Sequence, residues 1–491
     1  MDPASDIRLL LAVLAPLVGA GLVMATGRKP NLREACSFLA AAALFLVVVS
    51  MVPCVRAGRP LHFTLFALLP NLSLALRADA LAMIFAVAAS FLWMVTVFYS
   101  AGYMRGLAEH AQTRFSTCFA LALFGAIGCA FSDNLLTLYL FYEIVSITTY
   151  PLVAHHQDAE GYEGGQKYLV YLTTAAKGLV LPAMVLIYVL SGTLDFASNA
   201  HAGILPASVH NGVIIVLYAC CLLGFAKNAV MPLHHWLPGA MVAPTPVSAL
   251  LHAVAVVKVG VFSTVRVMLY VFGVDLMGRL HLGPPTAWFV SVTILIASVV
   301  ALSKDDLKAR LAYSTVSQLS YVILGVALLT PTAVAGGLFH IAAHAFAKIT
   351  LFFCAGAIYV ATRKKRISEM SGLGRAMPFT FGAFALASLS LIGAPPVAGF
   401  ISKLYLFVGA LDAGALGILV VLVVSSLLNA AYFAPVVYHA YFSPPPAEDA
   451  GRHQGEAPLA MLIPLCLTAV LSVVIGVFPD FFMRFAQAVL P

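Results

Sequence analysis

Charge is what this 491-residue chain has least of. Asp, Glu, Lys and Arg make up 10% of it and hydrophobic residues 62%, where a soluble domain carries about 25% charge. That balance excludes a soluble globular protein and makes the chain an integral membrane protein. Also missing is any GxGxxG, Walker or clustered-cysteine motif, so the chain by itself is expected to bind no nicotinamide, ATP or iron–sulfur cluster, and no cofactor is expected. Any redox step belongs to partners, which leaves open whether the chain serves an enzyme. The eight cysteines (Cys36, Cys54, Cys118, Cys129, Cys220, Cys221, Cys354 and Cys466) lie in or beside apolar runs without CxxC or Cys/His spacing. Neither a metal site nor a disulfide framework is indicated. The formal charge of +7 reflects loop orientation in a polytopic protein, so nucleic acid is discounted as a partner.

Long apolar runs are abundant. Cutting the chain at charged or Pro/Gly-rich breaks, with roughly 20 apolar residues per span, predicts an all-α polytopic fold of about fourteen transmembrane helices. The first lies near 7 to 27 and the last near 458 to 483; those near 245 to 273 and 379 to 410 are long enough to be tilted or broken. The polar stretches 155 to 166 and 443 to 457 read as loops. Loops after odd-numbered spans hold fifteen Lys and Arg residues and those after even-numbered spans four. The positive-inside rule then puts both termini outside.

Six basic residues remain within the spans: Lys177, Lys227, Lys258, Arg266, Lys348 and Lys403. Glu143 is the one carboxylate at similar depth. A charge at mid-membrane costs at least about 2.5 to 3.5 kcal/mol, so such residues face a bundle interior or a hydrated path. The alternative is snorkelling of a long side chain to the headgroups, and for Lys177 and Arg266 both readings stand. Lys258 lies more than ten residues into its helix, where snorkelling is hard.

Prolines mark where these helices break. In KNAVMPLHHWLPGAMVAPTP, Pro232 follows Lys227; it removes a main-chain donor and obstructs the preceding turn, freeing carbonyls for water or for the amine. GAPPVAGFISKLYLF repeats the association, with Pro395 and Pro396 ahead of Lys403. Interrupted helices at membrane depth mark ion sites in transporters, and two of them five spans apart suggest an inverted internal repeat. In FHIAAHAFAKITLFF, His340, His344 and Lys348 stand at i, i+4 and i+8, within about 80° on one helix face. No third ligand accompanies the His pair and a cation adjoins it, which argues against metal binding there. His252 sits six residues before Lys258, about 120° around the helix. His155, His156, His234 and His235 fall at interfaces, admitting protons or simply wet. Lys304, Asp305, Asp306 and Lys308 read as a solvated loop. RKKR at 363 to 366 reads as an orientation signal that meets anionic lipid.

FSDNLLTLYLFYEIVSITTYPLV, KNAVMPLHHWLPGAMVAPTPVSALLHAVAVVKVGVF, DDLKARLAYSTVSQLSYVILG, GGLFHIAAHAFAKITLFFCAG and GAPPVAGFISKLYLF together resemble the antiporter-like subunits shared by respiratory complex I, Mrp-type sodium/proton antiporters and membrane-bound hydrogenases. The resemblance runs from about residue 75 to 440. It implies helices 1 to 3 in 1–110, two inverted five-helix repeats in 111–275 and 276–442 with helices 7 and 12 broken, and helix 14 in 443–491. It also implies a proton path through the middle of the membrane. Glu143 then matches the helix 5 glutamate, Lys227 the helix 7 lysine and Lys258 the central helix 8 lysine. His252 matches an accessory histidine, His340, His344 and Lys348 the helix 11 group, and Lys403 the helix 12 position. Lysine at 403 favours the D-type Mrp subunit, or the complex I and hydrogenase members that share it. Lys177 departs from the pattern and, with His234 and His235, is an additional candidate. The implied partners are other membrane subunits, the bilayer, H+ and, as a candidate second ion, Na+ in a bacterial or archaeal inner membrane. A direct Glu143–Lys227 contact would be worth about 4 kcal/mol at an effective dielectric of 20, enough to govern whether the lysine keeps its proton. A stand-alone carrier for an organic substrate is disfavoured by the lack of further polar residues.

Overall fold

In hydrocarbon, a run of apolar residues satisfies its main chain by closing every hydrogen bond within itself, which selects the α-helix. The computed structural model describes residues 5–69, 71–445 and 455–490, and the side chains of residues 69 and 251–254 lie outside that description. Ten of the helices among the described residues are long and apolar enough to cross a membrane. These run Ile7–Ala25, Pro30–Arg56, Ala80–Gly106, Gln112–Ala130, Leu135–Val153, Ala159–Ser191, Gly283–Ser303, Pro331–Thr362, Leu416–Phe442 and Leu459–Val477. The helix Leu307–Ala327, the winding run 245–272 and two interrupted spans bring the described total to the fourteen expected. The chain is thus an all-α polytopic membrane protein.

Burial sorts the spans into an inner and an outer set. The best 18-residue window of Pro331–Thr362, the eleventh span, is entirely buried, against 39% for the first, second, thirteenth and fourteenth spans. Outer helices turn large aliphatic side chains outward, Leu46, Val189, Leu427 and Leu459 among them, as contact with acyl chains requires. The eighth span, 245–272, alternates α turns with π turns at Ser248–Ala255 and Met268–Phe272. Such single-turn bulges cluster at functional sites.

Three boundaries differ from the sequence reading. The stretch between the second and third spans, read as a loop, forms an antiparallel hairpin of Leu61–Leu69 with Leu72–Ala78. It docks on the start of the fifth span through Asn134 Nδ2 to the Ser73 carbonyl at 2.7 Å. The stretch 155–166 is not all loop: the sixth span begins at Ala159, because the Asp158 carboxylate accepts from the Gly161 N–H at 2.7 Å and caps it. The last span ends at Val477 ahead of Pro479, and a separate amphipathic helix, Asp480–Val489, buries Phe482, Met483 and Phe485 against the third and eleventh spans.

Candidate functional site

The seventh span stops after Asn211–Gly224 and is followed by a single 3₁₀ turn, Ala226–Asn228, before Trp236–Gly239 resumes. Ala229 takes a left-handed conformation, φ 55°. Sequence reasoning offered the freed carbonyls to water or to the lysine amine, but neighbouring side chains take them instead. Trp236 Nε1 donates to the Ala226 carbonyl at 2.9 Å, and Asn228 Nδ2 donates to the Leu222 carbonyl at 3.0 Å. The Asn228 oxygen accepts from the Val230 N–H at 3.0 Å. Lys227 is therefore fully buried with its amine free to turn toward the fifth span. There Nζ donates to the Tyr142 carbonyl at 2.8 Å and to Ser146 Oγ at 2.7 Å, over the face of the Tyr142 ring. Gly260 of the eighth span lies against the same turn, where a Cβ would collide with the Lys227 carbonyl carbon and the Asn228 nitrogen.

Glu143 does not contact Lys227, a correction to the expected near-contact pair. Tyr142 and Ser146, four residues apart, share the helix face that meets the amine, and Glu143 lies about 100° around it. Its carboxylate is half-buried, one oxygen has no hydrogen-bond partner, and Lys227 and Lys177 both lie within its electrostatic reach. Lys177 itself is exposed on the chain's outer surface, on the π turn Ala176–Val180.

Lys258 is fully buried and its Nζ has no hydrogen-bond partner among the described residues. The eleventh span faces it: His340, His344 and Lys348 are all buried and all lie within the reach of its charge. The His340 and His344 rings are 5.9 Å apart. Both nitrogens of His344 and both polar atoms of Gln318 are buried without partners among the described residues. His252's side chain lies outside the described residues.

At the second interrupted span, Pro378–Ile392 ends at Gly393 (φ 92°) and Ala398–Asp412 follows. Lys403 Nζ donates to the freed carbonyls of Leu391 and Ile392, at 2.8 and 2.9 Å, and to Ser426 Oγ at 3.1 Å. A hydrogen-bonded string joins it to the eleventh span. Lys348 Nζ donates to Ser314 Oγ at 2.9 Å, and the Tyr432 hydroxyl lies against both Ser314 and Asn429. Asn429 Nδ2 donates to the Leu391 carbonyl, which Lys403 also holds. A second link runs from His340 Nδ1 to Ser402 Oγ at 2.8 Å, beside Lys403.

Ser146, Ser314, Ser402, Asn429 and Tyr432 were not singled out from the sequence. A lone hydroxyl or amide in an apolar run is common, and only the neighbouring helix gives it meaning. Arg266, for which snorkelling stood as one reading, is fully buried and paired with Asp79, Nη2 to Oδ1 at 2.9 Å. Arg77 extends the cluster to Asp133 at 3.3 Å. The pair is 187 residues apart in sequence, so no local pattern announces it. His234 is buried against Tyr313 and His235 is exposed.

Lys308, read as part of a solvated loop, donates instead to the Ala243 carbonyl at 2.6 Å. It lines a cavity of about 500 Å³ with Glu109, His156, Asp158, Glu160 and Asp306. His155 lies close by in the turn after the fifth span. Burial, with His110, Arg114 and His156 adding, pushes its pKa down to about 3, so the ring is neutral.

Known proteins repeat this architecture. The family described as NADH:quinone oxidoreductase/Mrp antiporter, transmembrane, matches residues 132–429. The chain is 34% identical over 462 residues to NADH-quinone oxidoreductase subunit N of Desulforudis audaxviator (strain MP104C), covering 90% of each. It is 32% identical over 490 residues to NADH-quinone oxidoreductase subunit L of Mycobacterium tuberculosis (strain ATCC 25618 / H37Rv), covering 95% of this chain and 74% of that one. A chain of the Mrp complex from Dietzia sp. DQ12-45-1b superposes with a TM-score of 0.87 at 23% identity, covering 98% of this chain and 96% of that one, and so shares the fold. With the matched region holding both interrupted spans and the buried lysines between them, the chain belongs to the NADH:quinone oxidoreductase/Mrp antiporter transmembrane family of antiporter-like subunits.

Proposed function

We propose that this subunit moves protons along the buried line Glu143, Lys227, Lys258, His344 and His340 with Lys348, and Lys403, within a larger membrane complex. The observation that carries this reading is the hydrogen-bonded string from Lys348 through Ser314, Tyr432 and Asn429 to the carbonyl held by Lys403. Between Lys227 and Lys403 the unpartnered buried atoms of Lys258, His344 and Gln318 supply the donors and acceptors that bridging water needs. Leaving such groups bare would cost about 1 to 3 kcal/mol each.

Glu143 acts from the side. Its charge biases Lys227 without holding it, and a change in that bias lets Lys227 pass its proton toward Lys258. Residues 111–275 and 276–442 form two inverted units, each contributing one broken helix and one buried lysine beside it. Both termini face outward from a bacterial or archaeal plasma membrane, and Na+ is a candidate counter-ion. Lys177, exposed at membrane depth, is shielded there by a neighbouring subunit. Service in the membrane arm of a redox-driven oxidoreductase is supported by the near end-to-end match to a subunit N. Glu143→Ala and Lys227→Ala, each assembled into the complex and reconstituted in liposomes, should abolish proton transport. Near-normal pumping by both variants would falsify the scheme.

A further inference from the structure

Away from the lysine line, the connection between the third and fourth spans meets the turn between the fifth and sixth. The first brings Glu109 and His110, the second His155 and His156. Glu109 Oε2 lies 4.0 Å from His110 Nδ1, 4.0 Å from His155 Nε2 and 3.7 Å from His156 Nδ1. The ligand atoms of Glu109, His110 and His156 lie within 4.8 Å of one another. The His155 ring centroid is 4.9 Å from that of His110 and 5.6 Å from that of His156. With metal–ligand bonds of about 2.0 Å in a tetrahedral site, neighbouring donor atoms stand roughly 3.3 Å apart. Small side-chain rotations therefore close this set on one ion.

His155 supplies an independent indication. It is fully buried, and neither ring nitrogen meets a hydrogen-bond partner of ordinary geometry, although the His110 main chain lies beside it. Its position is fixed from behind, since Arg114 Nη2 donates to its carbonyl at 2.7 Å. A buried imidazole left without partners is costly, and a metal ion would supply one.

We propose that Glu109, His110, His155 and His156 form a site for a borderline divalent transition-metal ion of the zinc type. Glu109 and His156 also line the 500 Å³ cavity beside Lys308, so an ion held there obstructs access to it from the face carrying these loops. The binding stands apart from the transport reading; only the obstruction rests on it.

The test uses the assembled complex, with Co2+ as a spectroscopic probe and Zn2+ in calorimetry. One saturable Co2+ per copy of this chain, with the intense visible bands of tetrahedral coordination, is expected. His110→Ala and His156→Ala, both at solvent-facing positions, should each weaken Zn2+ binding at least tenfold, and Glu109→Gln should do the same. Absence of a saturable band, or unchanged affinity in these variants, overturns the site. In liposomes, Zn2+ should slow transport by the unmodified complex more than by the His110→Ala/His156→Ala double variant. Binding without slowing overturns the obstruction and leaves the site standing, whereas failure of transport in the absence of metal would count against the proton line alone.

Discussion

Two buried lysines stand beside two interrupted helices, and the interruptions are closed in different ways. At the first, Trp236 and Asn228 take the loose carbonyls and Lys227 reaches across to the fifth span. At the second, Lys403 itself takes the loose carbonyls, with Asn429 sharing one of them. The difference separates two duties that the sequence pattern shows as one. The Lys227 amine bonds none of the carbonyls its break frees, while its main-chain N–H donates to the Tyr142 hydroxyl, so the amine can change protonation without undoing the break. Lys403 is a structural donor as well as a charge.

The sharpest way to break this contrast is to remove each amine. Lys227→Ala and Lys403→Ala should both reduce proton transport in reconstituted liposomes by more than tenfold, but their stabilities should part company. Lys403→Ala strips the Ile392 carbonyl of its partner, costing about 1 to 3 kcal/mol. Both truncations leave a cavity, but Lys227→Ala orphans no carbonyl freed by its break, so it should cost less. Thermal unfolding of the two complexes measures the gap, and equal melting shifts would erase the distinction.

Asn228→Ala carries the converse expectation. It changes no charge yet orphans the Leu222 carbonyl and the Val230 N–H, and should destabilise by about 2 kcal/mol or more. A melting temperature above that of Lys227→Ala would contradict the assignment of duties. Gly260→Ala should cost about 1 to 3 kcal/mol by forcing the eighth span off the Lys227 turn, and should impair transport where a similar change at exposed Gly278 does not. The smallest effect is expected of Tyr432→Phe, which removes the hydroxyl between Ser314 and Asn429. About 1 kcal/mol of stability should be lost, with transport slowed several-fold in stopped-flow pH measurements. An unchanged rate would detach this string from the path.

How far the sequence discloses all this depends on whether the signal is local. Spans, breaks and the stripe of His340, His344 and Lys348 follow from periodicity and proline positions, because helix geometry alone relates residues three and four apart. The partner of a buried charge is a matter of tertiary packing. Glu143 and Lys227 looked like a contact pair by residue type, yet the register of the fifth span presents Tyr142 and Ser146 instead. Arg266 finds Asp79 across 187 residues, and the histidines at 110, 155 and 156 converge with Glu109 only because two short connections lie side by side. The hairpin at 61–78 escaped because hydrophobic alternation over a few residues is a weak cue beside twenty-residue apolar runs.

The apolar middle of Pro331–Thr362 touches protein on every side, and this has a consequence for biogenesis. Spans twelve and fourteen, which supply part of its enclosure, are synthesised after it. During translation it must enter the bilayer with one flank bare, carried by a mean hydropathy of 1.7, while His340 still lacks Ser402, its hydrogen-bond partner on the twelfth span. A ribosome-bound chain halted before residue 378 should therefore be a client of membrane chaperones, and should cease to be one once the fourteenth span has emerged.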